Sequence, residues 1–321
     1  MRIAIVGASG MVGRMFLRVL EEKKLPINEY VLFSSARSAG QKVHFMNQEY
    51  TFCELTESSF DSGFDYALFS AGGNTSKKFA PIAKEKGCTV IDNSSYWRMN
   101  PEIPLVVPEV NIETAKQNKI IANPNCSTIQ AVVALKPLHD KYGIKRIIYS
   151  TYQAVSGAGL AGFNDLKNNT SEKFPYPITA NCLPQIDIFE ENGYTKEEMK
   201  MINETKKILN DENLQITATT VRVPVFFGHS ESINVELKHS FELQDIKKLY
   251  QTAPGIILQD DPAQNIYPMP ITSENKDEVF IGRIRRDYSI ENGLNLWVVA
   301  DNLRKGAASN AVQILEKLIN S

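Results

Sequence analysis

The chain has 321 residues, 43% hydrophobic and 22% charged, which suits a globular protein of about two domains and excludes a disordered or fibrous one. Its formal charge of -2 comes without a basic or acidic block, so neither nucleic acid nor a membrane surface is an expected partner, and small ligands fit better. The apolar run at the N-terminus is too short for a signal peptide and nothing approaches the ~20 apolar residues of a membrane span, so the cytoplasm is the expected compartment.

Residues 2–7 read as a buried strand, followed by a glycine-punctuated turn and a helix from about 10 to 22 that Pro26 stops. Apolar runs at 30–34, 66–70 and 88–92 predict further strands, with a helix near 77–86 between the last two; this alternation predicts a mainly parallel sheet. After Pro124 and Asn125, the spacing of Ile129, Val132, Val133, Leu135 and Leu138 predicts a helix. Longer strand-like runs at 144–155, 215–225, 231–239 and 294–300, with a helix near 195–209, then predict an antiparallel sheet with helices on one side. The last segment, from Ala307 to Ile319, is amphipathic and needs an apolar surface to cover. The expected fold class is α/β, with a first, Rossmann-type domain of residues 1–125 plus 303–321 and a second, α+β domain of residues 126–302.

Gly7-Ala8-Ser9-Gly10-Met11-Val12-Gly13 follows a strand and opens a helix. Glycine permits the tight turn and brings backbone N–H groups close to a pyrophosphate, and the helix start adds unsatisfied donors; within a βαβ run this points to Gly7, Ser9, Gly10, Met11 and Val12 as a dinucleotide cradle, an ordinary strand–helix turn being the bland alternative. An NAD site usually carries Asp or Glu at the end of the second strand, whereas here the chain runs Ser34-Ser35-Ala36-Arg37-Ser38. Arg37 and Ser38 suit a 2′-phosphate, so the expected cofactor is NADP; a solvated polar loop is the bland alternative.

The four cysteines show no CxxC spacing, which leaves neither a disulfide framework nor a zinc site, and no metal is expected. Cys126 alone stands at a predicted helix start, where the positive end of the helix favours a thiolate. Among four histidines, His229 follows an apolar strand and a glycine and is suited to shuttle the thiol proton. His44, His139 and His239 fall in mixed segments expected to be exposed. Arg222 lies seven positions before His229, an odd number that on one regular strand would put them on opposite faces. Glu197 and Lys200 share a helix face, which an ordinary ion pair explains as well as a binding role. Gln153 ends a strand before a glycine-rich loop and can donate an amide hydrogen to a substrate oxygen.

The glycine loop, Asn123-Pro124-Asn125-Cys126-Ser127-Thr128 and Arg222-Val223-Pro224 with Gly228-His229-Ser230 together resemble the aspartate-semialdehyde dehydrogenases nearly end to end. The resemblance implies a thioester on Cys126 linking aspartyl phosphate, NADPH and aspartate semialdehyde, with inorganic phosphate released, in the biosynthesis of lysine, methionine and threonine. It also implies His229 and Gln153 in catalysis, Arg222 on the substrate carboxylate, Glu197 on its amino group and Gln153 on the substrate. Arg98, Lys200 and Asn125 are implied on phosphate, and Ser156, Gly157 and Asn302 on NADP. The second domain is implied to mediate catalysis and dimerisation, giving a homodimer or homotetramer. Two alternatives remain: an N-acetyl-glutamyl-phosphate reductase, whose cysteine usually stands in a Pro-Gly-Cys-Tyr-Pro-like setting, and a non-catalytic NADP-binding sensor.

Overall fold

The computed structural model describes residues 1–320. Its contacts divide the chain into two compact units, Met1–Asn125 with Ala307–Ser321 and Cys126–Gly306, Ser321 itself lying outside the described residues. The first stretch holds β1 (Arg2–Val6), α1 (Met11–Lys23), β2 (Glu29–Ser34), β3 (Lys42–Phe45), β4 (Gln48–Thr51), β5 (Cys53–Glu54), β6 (Tyr66–Phe69), α2 (Gly73–Glu85), β7 (Thr89–Asp92), the short α3 (Pro108–Asn111) and β8 (Ile120–Ala122). Six of these strands form a parallel sheet in the order β5-β2-β1-β6-β7-β8. Because successive side chains point to opposite faces, Ile3 and Ile5 pack with Phe16 and Leu20 of α1, while Ala4 and Val6 pack with Phe69 and with Ala80 and Ala83 of α2. Burial on both faces is why these strands read as unbroken apolar runs. Strand order reverses about β1, and the glycine loop leaves the carboxyl end of that strand, where sheets of this kind bind ligands.

Helix α1 ends at Lys23, with Lys24 in the left-handed region (φ 49°) and its N–H on the Leu20 carbonyl, so the stop precedes Pro26. Helix α2 starts at Gly73 rather than 77, through a polar Gly-Asn-Thr-Ser turn that carries no apolar period. The β3–β4 hairpin was not expected; its Met46 and Asn47 both have positive φ (50° and 60°), the geometry of a tight two-residue turn.

The second unit holds α4 (Cys126–Tyr142), β9 (Ile144–Gln153), α5 (Gly159–Asn168), α6 (Lys196–Leu209), β10 (Gln215–Arg222), β11 (His229–Leu237), α7 (Leu243–Thr252), β12 (Ile256–Leu258), α8 (Pro270–Ser273), β13 (Val279–Asp287) and β14 (Gly293–Ala300). Its sheet runs β10-β9-β11-β14-β13-β12. The expected antiparallel sheet is corrected to a mixed one: β10 lies parallel to β9 and β12 parallel to β13, while the remaining pairs are antiparallel. The first parallel pair follows from the intervening helix α6, a crossover that brings the chain back in its original direction. Strand β13 was missed because its second half carries Arg283, Arg285 and Arg286 and its register shifts between Gly282 and Arg285. One face of the sheet is buried, with His229, Glu231, Ile233 and Val235 of β11 level with Tyr149 and Thr151 of β9 and with Leu296 and Val298 of β14. The other face is half-exposed, with Tyr152, Ser232, Asn234 and Trp297.

The final helix α9 (Ser309–Ile319) returns to the first unit, burying Ala311, Val312, Ile314 and Leu315 among Ile3, Ile5 and Phe16. The second boundary falls after Gly306 rather than after residue 302. Leu303 and Arg304 donate their N–H groups to the Asp301 carboxylate (2.9 and 3.0 Å) and the Arg304 side chain reaches Asp277 (2.7 Å), which ties these residues to the second unit. Among the described residues no helix is long and apolar enough to cross a membrane.

Candidate active site

In the first unit the turn between β1 and α1 needs its glycines. Gly7 has φ 84°, and a Cβ there would sit 2.3 Å from the Ser70 carbonyl oxygen; a Cβ on Gly13 would sit 2.1 Å from the Gly7 oxygen. The helix therefore packs directly on the turn. Gly10 precedes α1 without any side-chain cap, so the first-turn N–H groups of the helix, next to Ser9, Met11 and Val12, have no capping side chain. This cradle fits a dinucleotide pyrophosphate. Arg37 is exposed and Ser38 half-exposed in the turn after β2, the neighbour of β1, with no carboxylate in that turn. Arg98 is buried, and its guanidinium is held at the carboxyl ends of the strands by the carbonyls of Asn93 and Asn123 (both 3.0 Å). Asn125 is buried after β8.

In the second unit the site is a row across three strands. Arg222 ends β10 opposite Gln153, which ends β9, and His229 begins β11, the other neighbour of β9. Parity along one strand does not apply, because residues 223–228 form the connection between two strands. All three side chains are buried, at 4%, 1% and 0% exposure. Cys126 is the first residue of α4, and its Sγ lies 3.2 Å from His229 Nε2. The Ala154 N–H donates to His229 Nδ1 (3.0 Å), and the Ala154 carbonyl accepts from Arg222 Nη1 (2.6 Å). Gln153 donates its amide to the Thr151 hydroxyl (3.3 Å).

Burial, aided by the Arg222 charge, holds His229 well below the usual imidazole range, so it is neutral. Burial also lowers Arg222, against the opposing pull of Glu197 and Cys126. Glu197 is buried in the first turn of α6, a helix fixed by a reciprocal cap in which Thr195 donates its N–H to Glu198 and accepts that of Glu198. Lys200 lies 3.2 Å from Glu197 and 2.9 Å from Asp187, so the pair is an ion pair with one buried partner. Ser156 bonds to Asn302, and Asn302 Oδ1 accepts the Gly228 N–H (2.9 Å), which braces the glycine turn against the residue before His229. Among the other histidines His139 is half-buried rather than exposed, packed near the end of α4, while His44 and His239 are exposed.

Three features escaped the sequence. Ala154 acts only through its backbone, which no side-chain pattern reveals. Gly306 matters because a Cβ there would meet Cys126 Cβ at 2.9 Å. Glu231 is wholly buried with neither carboxylate oxygen hydrogen-bonded, and burial with the nearby Glu197 charge pushes its pKa well above the ordinary range. Its alternation with His229 on β11 was the available signal.

The family described as "Semialdehyde dehydrogenase, NAD binding domain" matches residues 2–118, and "Semialdehyde dehydrogenase, dimerisation domain" matches residues 135–305. A curated aspartate-semialdehyde dehydrogenase of Aquifex aeolicus is 56% identical over 99% of this chain and 98% of its own. The crystal structure of aspartate semialdehyde dehydrogenase II of Vibrio cholerae complexed with ASA superposes with a TM-score of 0.94 at 46% identity, covering 100% of this chain and 98% of that one. The Candida albicans aspartate semialdehyde dehydrogenase crystallised with NADP superposes with a TM-score of 0.80 at 25% identity, covering 98% and 97%.

Proposed function

The chain belongs to the aspartate-semialdehyde dehydrogenase family, and on that premise we propose that it converts L-4-aspartyl phosphate to L-aspartate 4-semialdehyde with NADPH, through a thioester on Cys126. The observation that carries this reading is the Cys126 Sγ to His229 Nε2 contact of 3.2 Å at the start of α4. A helix start and an imidazole donor both favour the thiolate, the nucleophilic form.

The substrate roles follow from charge and burial. Arg222 offers a planar, desolvated guanidinium to the α-carboxylate, and Glu197 a buried carboxylate to the α-ammonium. Gln153 stands between Arg222 and His229 in the row, within reach of the acyl group they would hold. Arg98, Lys200 and Asn125 are assigned to the phosphate that leaves. Ser9, Gly10, Met11 and Val12 with Gly7 would hold the pyrophosphate of NADP, Arg37 and Ser38 its 2′-phosphate, and Ser156, Gly157 and Asn302 the nicotinamide end. The cofactor supplies hydride when bound. The half-exposed face of the second sheet suits pairing with a second copy, as a homodimer or homotetramer, and the cytoplasm is the proposed compartment.

The test is NADP reduction by the purified protein with aspartate semialdehyde. Activity that requires phosphate, and is absent with the aldehyde of N-acetylated glutamate, supports the reading; the reverse preference makes the protein the acetylglutamyl enzyme. Cys126→Ala is expected to abolish turnover. Turnover at the unaltered rate would remove covalent catalysis, and no turnover in the unaltered protein would leave an NADP-binding sensor.

A further inference from the structure

Between α5 and α6 the chain runs from Asn169 to Thr195 without a helix or a regular strand, so backbone ladders do not hold it. Asp165, buried on α5, holds its first part. One carboxylate oxygen accepts the Thr170 hydroxyl (2.8 Å) and the Glu172 N–H (2.9 Å), and the other accepts the N–H groups of Lys173 (2.8 Å) and Phe174 (3.0 Å). Hydrogen bonds to an ionised acceptor are the strong kind, and three successive N–H groups converging on one carboxylate fix the backbone of 172–174. Within 171–177 every residue is exposed except Phe174. Its ring packs with Val155, Leu166, Ile178 and Leu183, and comes so close to α5 that a Cβ on Gly162 would sit 2.9 Å from Phe174 Cζ. Glycine is a poor helix former, and inside α5 it makes room for this ring.

The same ring lies 6.0 Å from Arg222 Cζ, and Leu183 of that cluster exchanges both backbone hydrogen bonds with Arg222 (2.8 and 2.9 Å). Among the described residues Arg222 hydrogen-bonds only through Nη1, to the Ala154 carbonyl, and its Nε meets no acceptor, although the residue is 4% exposed. An apolar wall beside such a group keeps water from competing for its donors, a charged pair strengthens as the local dielectric falls, and the face of an aromatic ring attracts a cation. We propose that Phe174, tethered by Asp165, is a positioning residue that shields the Arg222 guanidinium and so sets the affinity for the substrate α-carboxylate. The inference rests on the assignment of Arg222 to that carboxylate made above. The carboxylate keeps its charge throughout the reaction, so a weaker grip on it falls equally on ground state and transition state and shows in KM rather than in kcat.

The test uses the full-length protein and two readouts. Phe174→Ala is expected to raise the KM for aspartate semialdehyde roughly 10-fold, with kcat changed less than about 3-fold and the KM values for phosphate and NADP unmoved. Phe174→Leu, which keeps apolar bulk against the guanidinium, should restore most of that affinity. Asp165→Asn offers one acceptor oxygen in place of two and should raise the same KM alone. An unchanged KM for aspartate semialdehyde in Phe174→Ala, or parallel losses for all three ligands, overturns the proposal. The second readout does not depend on turnover: phenylglyoxal, scored by peptide mapping, should modify Arg222 several-fold faster in Phe174→Ala than in the unaltered protein. Equal labelling rates overturn the shielding. Faster labelling in the variant, with no turnover of aspartate semialdehyde by the unaltered protein, would keep Phe174 as the wall of Arg222 and overturn the reaction proposed above.

Discussion

Two glycines of the second unit matter for the space they leave beside reactive side chains. A Cβ on Gly306 would lie 2.9 Å from Cys126 Cβ, and one on Gly157 would lie 2.9 Å from Arg222 Nη1 and 3.3 Å from His229 Nε2. Neither is needed for a left-handed backbone, so the constraint is steric. Gly306→Ala is expected to displace Cys126, the proposed nucleophile, and lower kcat by roughly 10- to 100-fold, because misplacement of reacting atoms by about 1 Å costs that much. Single-turnover measurement of thioester formation checks it. Arg37→Ala tests the cofactor assignment: loss of a charged hydrogen-bonding partner, worth about 1.5–3 kcal/mol, is expected to weaken NADP binding by at least ~10-fold and leave NAD binding unchanged. Equal effects on both cofactors would place Arg37 elsewhere.

The elements differ in how far local sequence specified them. The turn from β1 into α1 was readable because every requirement, from a strand ending in glycine to a helix without a side-chain cap, lies within seven consecutive residues. Gly13→Ala tests that turn: the new methyl would meet the Gly7 oxygen at 2.1 Å, with backbone on both sides, and is expected to cost about 1–3 kcal/mol in thermal unfolding. The row of Arg222, Gln153 and His229 was not readable in the same way. Parity along a single strand separated the first and last, whereas pairing of β10 and β11 with the same strand, β9, brings them level, and strand pairing is a long-range property. The parallel direction of β10 was hidden for the same reason, and β13 because arginines and a bulge obscure its apolar period. Cys126 at the start of α4 was visible from the helix boundary; the backbone of Ala154, which meets both His229 and Arg222, has no side-chain signature.

For the molecule as a whole, two buried groups on β11 set opposing pH dependences of stability. Glu231 keeps its proton in the folded state, whereas the unfolded chain releases it above about pH 4.3, so stability falls as pH rises from there through the raised folded value. His229 is neutral when folded, whereas the unfolded chain binds a proton below about pH 6.5, so stability falls as pH drops from there toward the lowered folded value. Each contributes a slope of about 1.4 kcal/mol per pH unit within its window. Glu231→Gln is expected to raise the Tm at about pH 8 and leave it nearly unchanged at about pH 4. Calorimetry over that range checks it, and a Tm lowered at the higher pH would show that Glu231 is ionised in the fold.

The row of three strand ends also bears on how the chain acquires activity. Cys126 and His229 are 103 residues apart in the chain, and Ala154 and His229 are 75 apart. Their meeting requires β9 to gather both β10 and β11, and pairings of such separation form slowly because the loop-closure entropy must be met before the contacts reward it. During refolding, secondary structure should therefore return before the Cys126–His229 contact and the thiol reactivity proposed to depend on it. That thiol then serves as a built-in clock for the last stage of assembly: an alkylating pulse would label it at the ordinary rate early and at the faster, activated rate only once the sheet has closed.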